Sequence, residues 1–127
     1  MLAFLTAGLV LATTPNLSLK APPVEETPLV SAVCSIKTST TDGFIRSQCS
    51  VGAVRQGNTT GVGFILEGGS VMFIGTEAGD GSLAVDAMIV SDSVYQASGT
   101  CRTGKRSVIC SGAPIGISQP VVIQAEF

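Results

Sequence analysis

Two stretches of this chain decide its fold: CSIKTSTTDGFIRSQC at residues 34–49 and CRTGKRSVIC at residues 101–110. Each stretch has a cysteine at both ends and a polar turn containing glycine in the middle. An antiparallel hairpin around such a turn sets its two cysteines opposite each other, with Cβ atoms about 4.5–5.5 Å apart, close to disulfide reach. The spacing therefore favours two local bridges, Cys34–Cys49 and Cys101–Cys110. Bridges that cross between the two hairpins are the alternative.

The register of the first hairpin depends on the length of its loop. A four-residue loop sets Cys34 opposite Cys49, but it also sets Lys37 opposite Arg46, which is an unfavourable pair of like charges. A two-residue turn is the alternative, and it would move Cys49 opposite Ile36. The sequence leaves both registers open.

A further hairpin is predicted around Gly68-Gly69, a pair suited to a tight two-residue turn. This turn would set Phe64 opposite Phe73. The flanking strands, predicted at 61–67 and 70–77, are apolar at successive positions and do not alternate cleanly, which predicts that both of their faces are covered. The leading core candidates are four large apolar residues: Phe64, Ile65, Phe73 and Ile74. An apolar ligand site is the functional alternative for the same residues.

The strand predicted at 83–90 carries one carboxylate, Asp86, within an apolar run. Counting by twos places Asp86 on the same face as Met88. We expect an exposed strand position, and a buried carboxylate with a partner is the alternative. A carboxylate-dependent hydrolase would use Asp86 with Glu77 or Asp80, and it would need a cleft that holds at least two of these groups. The alternating residues near the end of 120–127 predict an edge strand or a strand that closes a barrel.

The composition excludes several classes of function, but no motif identifies one. The 127 residues include no histidine, which removes Ser-His-Asp and Cys-His arrangements and imidazole metal ligands. Only 13% of the residues are charged and the net charge is −2, so the chain has no basic stripe for nucleic acid. The cysteine spacing contains no Cys-x-x-Cys pair, which argues against zinc. We therefore expect a protein that is not an enzyme, with no catalytic, cofactor-binding or metal-binding residues.

The N-terminal segment predicts export. Residues 1–21 begin with an apolar run of signal-peptide length, although no lysine or arginine precedes it. A run this short does not reach the roughly 20 residues of a membrane-spanning helix. Residues 22–28 are rich in proline and predict an extended linker. Residues 29–127 are predicted to form one antiparallel all-β domain of seven or eight strands, either a sandwich or a small up-and-down barrel.

These features predict a secreted protein, or a periplasmic or cell-envelope protein, that acts by binding or by structural association. An accessory subunit of an envelope or membrane assembly is one form of this hypothesis, with membrane contact only through a retained N-terminal segment. A protein partner or self-association is expected. The basic cluster Arg102, Lys105 and Arg106 is the candidate partner contact. The alternatives are a β-barrel carrier of a small apolar ligand, with a cavity behind Phe64 and Phe73, and the carboxylate-dependent hydrolase.

Overall fold

A computed structural model describes residues 23–38, 41, 43–116 and 120–127, so the predicted leader at 1–21 lies outside the described residues. The described residues form an all-β protein without helices. Its strands are β1 (Val24–Glu26), β2 (Val30–Lys37), β3 (Ile45–Gln56), β4 (Thr59–Leu66), β5 (Gly69–Glu77), β6 (Leu83–Val90), β7 (Ser93–Thr103), β8 (Ser107–Pro114) and β9 (Val121–Glu126).

The strands form an antiparallel up-and-down barrel. Each strand from β2 to β9 pairs with the next along the chain, and β9 returns to pair with β2, which closes an eight-stranded ring. Strand β1 is an addition outside this ring, pairing with the last residues of β3. The all-β prediction is confirmed, and of its two forms the barrel is correct. Strand β1 falls within the stretch 22–28 that the sequence predicts as a linker.

Both disulfides form as predicted, between Cys34 and Cys49 and between Cys101 and Cys110. Cys101 and Cys110 are direct register partners, with Cα atoms 4.0 Å apart. Cys34 instead lies opposite Ser47, so its bridge to Cys49 runs diagonally between β2 and β3 over a Cα–Cα distance of 5.9 Å. Both cysteines keep the inward face, because a register shift of two residues does not change the side of the sheet.

Neither register predicted for the first hairpin is correct, because its chain turns earlier than expected. The Thr38 N–H donates to the Thr41 hydroxyl at 2.9 Å, and β2 ends at the preceding residue. Arg46 consequently lies opposite Ser35, and the like-charge pair with Lys37 does not form. The remaining loop residues 39, 40 and 42 lie outside the described residues.

The register of the hairpin around Gly68 also differs from its prediction by two residues. Its turn is Glu67-Gly68, because Gly69 belongs to β5 and pairs with Leu66. Phe64 therefore lies opposite Val71 and not opposite Phe73. Phe64 and Phe73 still meet inside the barrel, edge to face, with ring centroids 5.8 Å apart.

A β-bulge in β6 changes the face that each residue of this strand presents. On the β5 side, Gly75 pairs with Val85 and Ile74 pairs with Ala87, which leaves Asp86 without a register partner. The extra residue shifts the alternation, so Val85 and Met88 both point inward. Asp86 is exposed, as expected, but the prediction that it shares a face with Met88 is wrong.

The barrel interior is filled by residues of unequal size. Strands β4–β6 supply the fully buried Phe64, Phe73 and Met88, while β2 and β7–β9 supply mainly small residues and cysteines. Two predicted core residues, Ile65 and Ile74, are not in this core. They lie on the outer face, where Ile65 is 48% exposed and Ile74 is half-buried.

Candidate functional site

A continuous row of apolar residues and glycines crosses the outside of the barrel from β2 to β7. Register pairing aligns Gly52 with Gly63, Gly63 with Met72, Met72 with Ile89, and Ile89 with Val94. Leu29, which directly precedes β2, packs against Gly52 at the other end of the row. We call these six residues the apolar strip: Leu29, Gly52, Gly63, Met72, Ile89 and Val94.

Both ends of the strip are exposed to solvent, and a groove lies near the Leu29 end. Leu29 is 59% exposed and Val94 is 71% exposed. Between Leu29 and Met72, the paired glycines 52 and 63 provide no side chains, so a groove of about 430 Å³ lies over their backbone. Its lining includes Glu26, Leu29, Gly52, Gly63, Ile65, Ser70, Met72 and Ile89.

Backbone hydrogen bonds fix the side of the groove nearest β1. The Thr27 N–H donates to the Ala53 carbonyl oxygen at 2.9 Å, and the Ala53 N–H donates to the Thr27 hydroxyl at 2.8 Å. These bonds hold the chain so that the Leu29 side chain leans over Gly52, where an added Cβ would lie 3.0 Å from Leu29 Cδ2. On the far side, Met72 lies across Gly61 and Gly63. The groove is therefore a built feature of the barrel wall.

Further apolar residues widen this surface. Val54, Ile74 and Ala87 form a second outward row, aligned through Gly61, and all three are half-buried. Ile65 projects on the other side of the strip, between Ser50 and Ser70. An exposed apolar patch on a small monomer that extends over several strands is typical of an interaction site.

The remaining outer surface is polar. On β7–β9, β2 and the start of β3, outward positions are mostly occupied by hydroxyl, amide and basic side chains: Ser35, Lys37, Arg46, Thr100, Arg102, Ser111 and Gln124. Val33, Ile109 and Val122 are large apolar exceptions on these strands, and Phe44, Ile45, Ile115 and Phe127 are exposed at or just beyond strand ends. This surface needs no partner to cover it, because its side chains bond with water.

The predicted basic cluster lies at one end of the barrel, at the β7–β8 turn. Arg102 approaches Asp80 at 3.9 Å, and the Arg106 carbonyl oxygen accepts a hydrogen bond from the Phe127 N–H at 2.9 Å. The side chains of Arg102, Lys105 and Arg106 are all exposed. A partner contact through this cluster stays a prediction, and the cluster is not part of the apolar strip.

The three carboxylates of the hydrolase alternative have separate surroundings. Glu77 is paired with Arg55 at 3.4 Å, and Asp80 is bound within its own turn. The hydroxyl and N–H of Ser82 donate to Asp80 Oδ1 at 2.6 and 3.0 Å, and with the nearby Arg102 they hold the Asp80 pKa below its ordinary value. Asp86 is exposed on the barrel wall. In the described part of the chain, no three His, Cys, Asp or Glu side chains gather as metal ligands would.

The interior offers little support for the carrier alternative. That hypothesis needs a cavity behind Phe64, Phe73 and Met88, and all three side chains are fully buried in the core. A Cβ added at Gly112 would lie 2.8 Å from the Met88 sulfur and 3.2 Å from the Phe73 ring. Large side chains thus fill the space that a carrier leaves for its ligand.

Comparison with protein-family models, with curated protein sequences and with solved structures finds no match to this chain. No helix long and apolar enough to span a membrane occurs among the described residues. The two disulfides are compatible with an oxidising, extracellular environment.

Sequence reasoning missed the apolar strip, although one signal pointed to it. The strands around Gly68 are apolar at successive positions, which predicts cover on both faces, and the outer of these faces is the strip. The two glycines of the groove, 52 and 63, give no such signal. Their pairing depends on the register between β3 and β4, which the sequence does not specify.

Proposed function

We propose that this protein is an exported, non-catalytic binding protein, whose partner is a protein that covers the apolar strip and the groove. Its setting is the oxidising space outside the cytosol, as a secreted protein or as a subunit of a cell-envelope assembly. The two buried disulfides and the predicted leader support export. Disulfides persist in an oxidising environment, so the barrel is suited to present a rigid surface there.

One observation supports the binding role above all others. The core of the closed barrel consists of inward residues, and Leu29, Ile65, Met72, Ile89 and Val94 are not among them. An apolar surface left open on a domain with a complete core contributes binding free energy when a partner removes it from water. The outer faces of β8, β9 and β2 carry mainly polar side chains and have less such free energy to contribute.

Strand addition is a poorer route to a partner, because the remaining sheet edge is blunted. Strand β1 is the outermost strand of the sheet and only three residues long. Glu25 and Glu26 occupy two of these positions, and Pro23 and Pro28 flank the strand. Short length, charge and proline are the devices that discourage edge-to-edge pairing. The partner is therefore expected on the barrel wall and not on this edge.

Site-specific photocrosslinking in the native cell tests the proposal. The full chain would carry a photoreactive phenylalanine analogue at Ile65, beside the groove, or at Ser111, on the polar outer face. We expect one defined protein adduct from position 65 and none from position 111, with equal thermal stability of the two variants. Adducts of the same mass and yield from both positions, or none from position 65, would overturn the proposal.

A further inference from the structure

The charges of this protein are divided between its two sides. Seven of the eight described acids lie on β1 or between residues 67 and 92: Glu25, Glu26, Glu67, Glu77, Asp80, Asp86 and Asp92. Five of the six described bases lie elsewhere, on β2, the start of β3 and the β7–β8 hairpin: Lys37, Arg46, Arg102, Lys105 and Arg106. The apolar strip therefore lies within the acidic side.

Several acids on this side of the barrel form no ion pair among the described residues. Glu77 pairs with Arg55 and Asp80 pairs with Arg102, whereas Glu25, Glu26, Glu67, Asp86 and Asp92 form no ion pair with another described residue. Glu26 lines the groove itself. Asp86 directly precedes Ala87 of the second apolar row, and Asp92 lies two residues before Val94. Glu26, Asp86 and Asp92, which form no ion pair within the described part of the chain, make up an acidic border beside these apolar residues.

We infer that the partner presents a basic amphipathic segment, in which apolar side chains enter the groove and lysines or arginines meet the acidic border. This inference rests on the proposed function and specifies the chemistry of the partner. Opposite charges around an apolar contact raise the association rate and exclude wrong partners. The floor of the groove is two strands wide, about 5 Å from Gly52 to Gly63, which admits one row of apolar side chains.

The same charges argue against two other occupants. A symmetric dimer through this face would place the same patch on both subunits, so Glu26 and Asp86 of one copy would approach the acidic border of the other. A membrane surface rich in anionic lipid would be repelled in the same way. An amphipathic segment with an apolar face and a basic face satisfies both the groove and its border.

A binding experiment with the purified full-length protein tests the inference directly. The probes are two designed amphipathic helices with the same leucine face, one carrying lysines and the other glutamates on its polar face. We expect the leucine–lysine helix to bind about tenfold more tightly or better, with an affinity that falls as salt is added. The leucine–glutamate helix should bind weakly or not at all.

Four substitutions separate groove binding from general attraction between opposite charges. Glu26→Lys and Asp86→Lys should each weaken binding of the leucine–lysine helix several-fold. The matched Glu126→Lys, on the basic side, should leave that binding unchanged. Gly63→Val fills the groove and should weaken binding of the same helix about tenfold without changing any charge. An equal loss in the Glu26 and Glu126 variants, or no loss in the Gly63 variant, would overturn the inference.

Other outcomes identify what replaces the inference. Equal affinity for the two helices, binding to phosphatidylglycerol vesicles, or a concentration-dependent dimer that blocks the groove would each contradict a basic partner. If the position-65 photoadduct forms but the leucine–lysine helix does not bind, the proposed function stands and the inference fails. If the position-65 photoadduct is also missing, both fail.

Discussion

The two walls of this barrel differ in the size of the side chains that they contribute to the core. The bulky wall, β4–β6, fills the interior with Phe64, Phe73 and Met88 and contains no cysteine. The stapled wall, made of β7–β9, β2 and the start of β3, contains both disulfides and, apart from Ile123, buries mainly alanines and cysteines. Large side chains on one wall require little volume on the other, because protein interiors are close-packed.

The walls differ outside as well as inside. The stapled wall alternates apolar and polar residues, as expected for strands with one face in water. The bulky wall is apolar on both faces, with Ile65, Met72, Ile74 and Ile89 pointing away from a core that is already complete. Under the proposed function, the stapled wall serves stability, while the bulky wall serves both stability and binding.

The largest expected effect comes from truncating the bulky wall. Phe73→Ala removes a fully buried ring that reaches the stapled wall, and it should lower the free energy of unfolding by about 3–5 kcal/mol. Ala97→Gly, a buried truncation in the stapled wall, should cost about 1 kcal/mol. Urea unfolding of the oxidised variants measures both, and equal losses would remove the distinction between the walls.

Removing the bridges of the stapled wall should have the next largest effect. Replacing either cysteine pair with alanines should cost about 2–4 kcal/mol. The Cys34–Cys49 bridge spans 15 residues and Cys101–Cys110 spans 9, so loss of the first should cost about 0.5 kcal/mol more. The same unfolding measurement applies. If the free energy of unfolding did not change when either bridge was removed, the stapled wall would not depend on its disulfides.

Two glycines, one from each wall, should respond to alanine with opposite signs. Gly112 of the stapled wall points inward against Met88 and Phe73, so Gly112→Ala should overpack the core and cost about 1–3 kcal/mol. Gly63 of the bulky wall points outward, where an added Cβ would lie 3.4 Å from Met72 Cε, an ordinary contact. Gly63→Ala should therefore stabilise the fold by about 0.5–1 kcal/mol.

Partner binding provides the second measurement for this glycine pair. Gly63→Ala should lower the yield of the position-65 photoadduct while it raises stability, which is the behaviour of a residue retained for binding. If Gly63→Ala destabilised the barrel as Gly112→Ala does, the glycine would be explained by packing alone.

The smallest effect concerns the ion pair that joins the two walls, Asp80 with Arg102. The Ser82 hydroxyl is the main cause of the lowered Asp80 pKa, so Ser82→Ala should raise that pKa toward its ordinary value. Because the folded-state pKa lies below the unfolded one, the carboxylate stabilises the turn at neutral pH, and this contribution is lost as the pH falls through the folded-state pKa. NMR titration of Asp80 in both proteins measures the change. A pKa that did not move would assign the lowering to the Ser82 N–H and Arg102, which the substitution leaves in place.

Much of the fold is predictable from this sequence because side chains in a strand alternate with a period of two. The four-residue-loop register of the first hairpin and the predicted register around Gly68 are each displaced by two residues, so Cys34 and Cys49 still share the inward face and the bridge forms. The bulge at Asp86 was not predictable in this way. It depends on how Gly75 of β5 meets Ala84 and Val85 of β6, and an added Cβ at Gly75 would overlap the Ala84 carbonyl oxygen.

The candidate site was less predictable than the fold. Apolar residues at successive positions indicated that the outer face of β4 and β5 is covered, but Ile65 and Ile74 were assigned to the core because no sequence signal separates a core from an interface. The apolar strip is a lateral row through β3–β7, and it exists only once every register between these strands is fixed. No local pattern contains that information.

Methionine oxidation in the native cell tests the central claim most directly, because each face of the bulky wall carries a methionine. Met72 is half-buried on the outer face and Met88 is fully buried in the core. In the purified protein, peroxide should oxidise Met72 much faster than Met88. In the native cell, a bound partner should protect Met72 to nearly the level of Met88. Equal oxidation of Met72 in the cell and in the purified protein would show that nothing covers the strip.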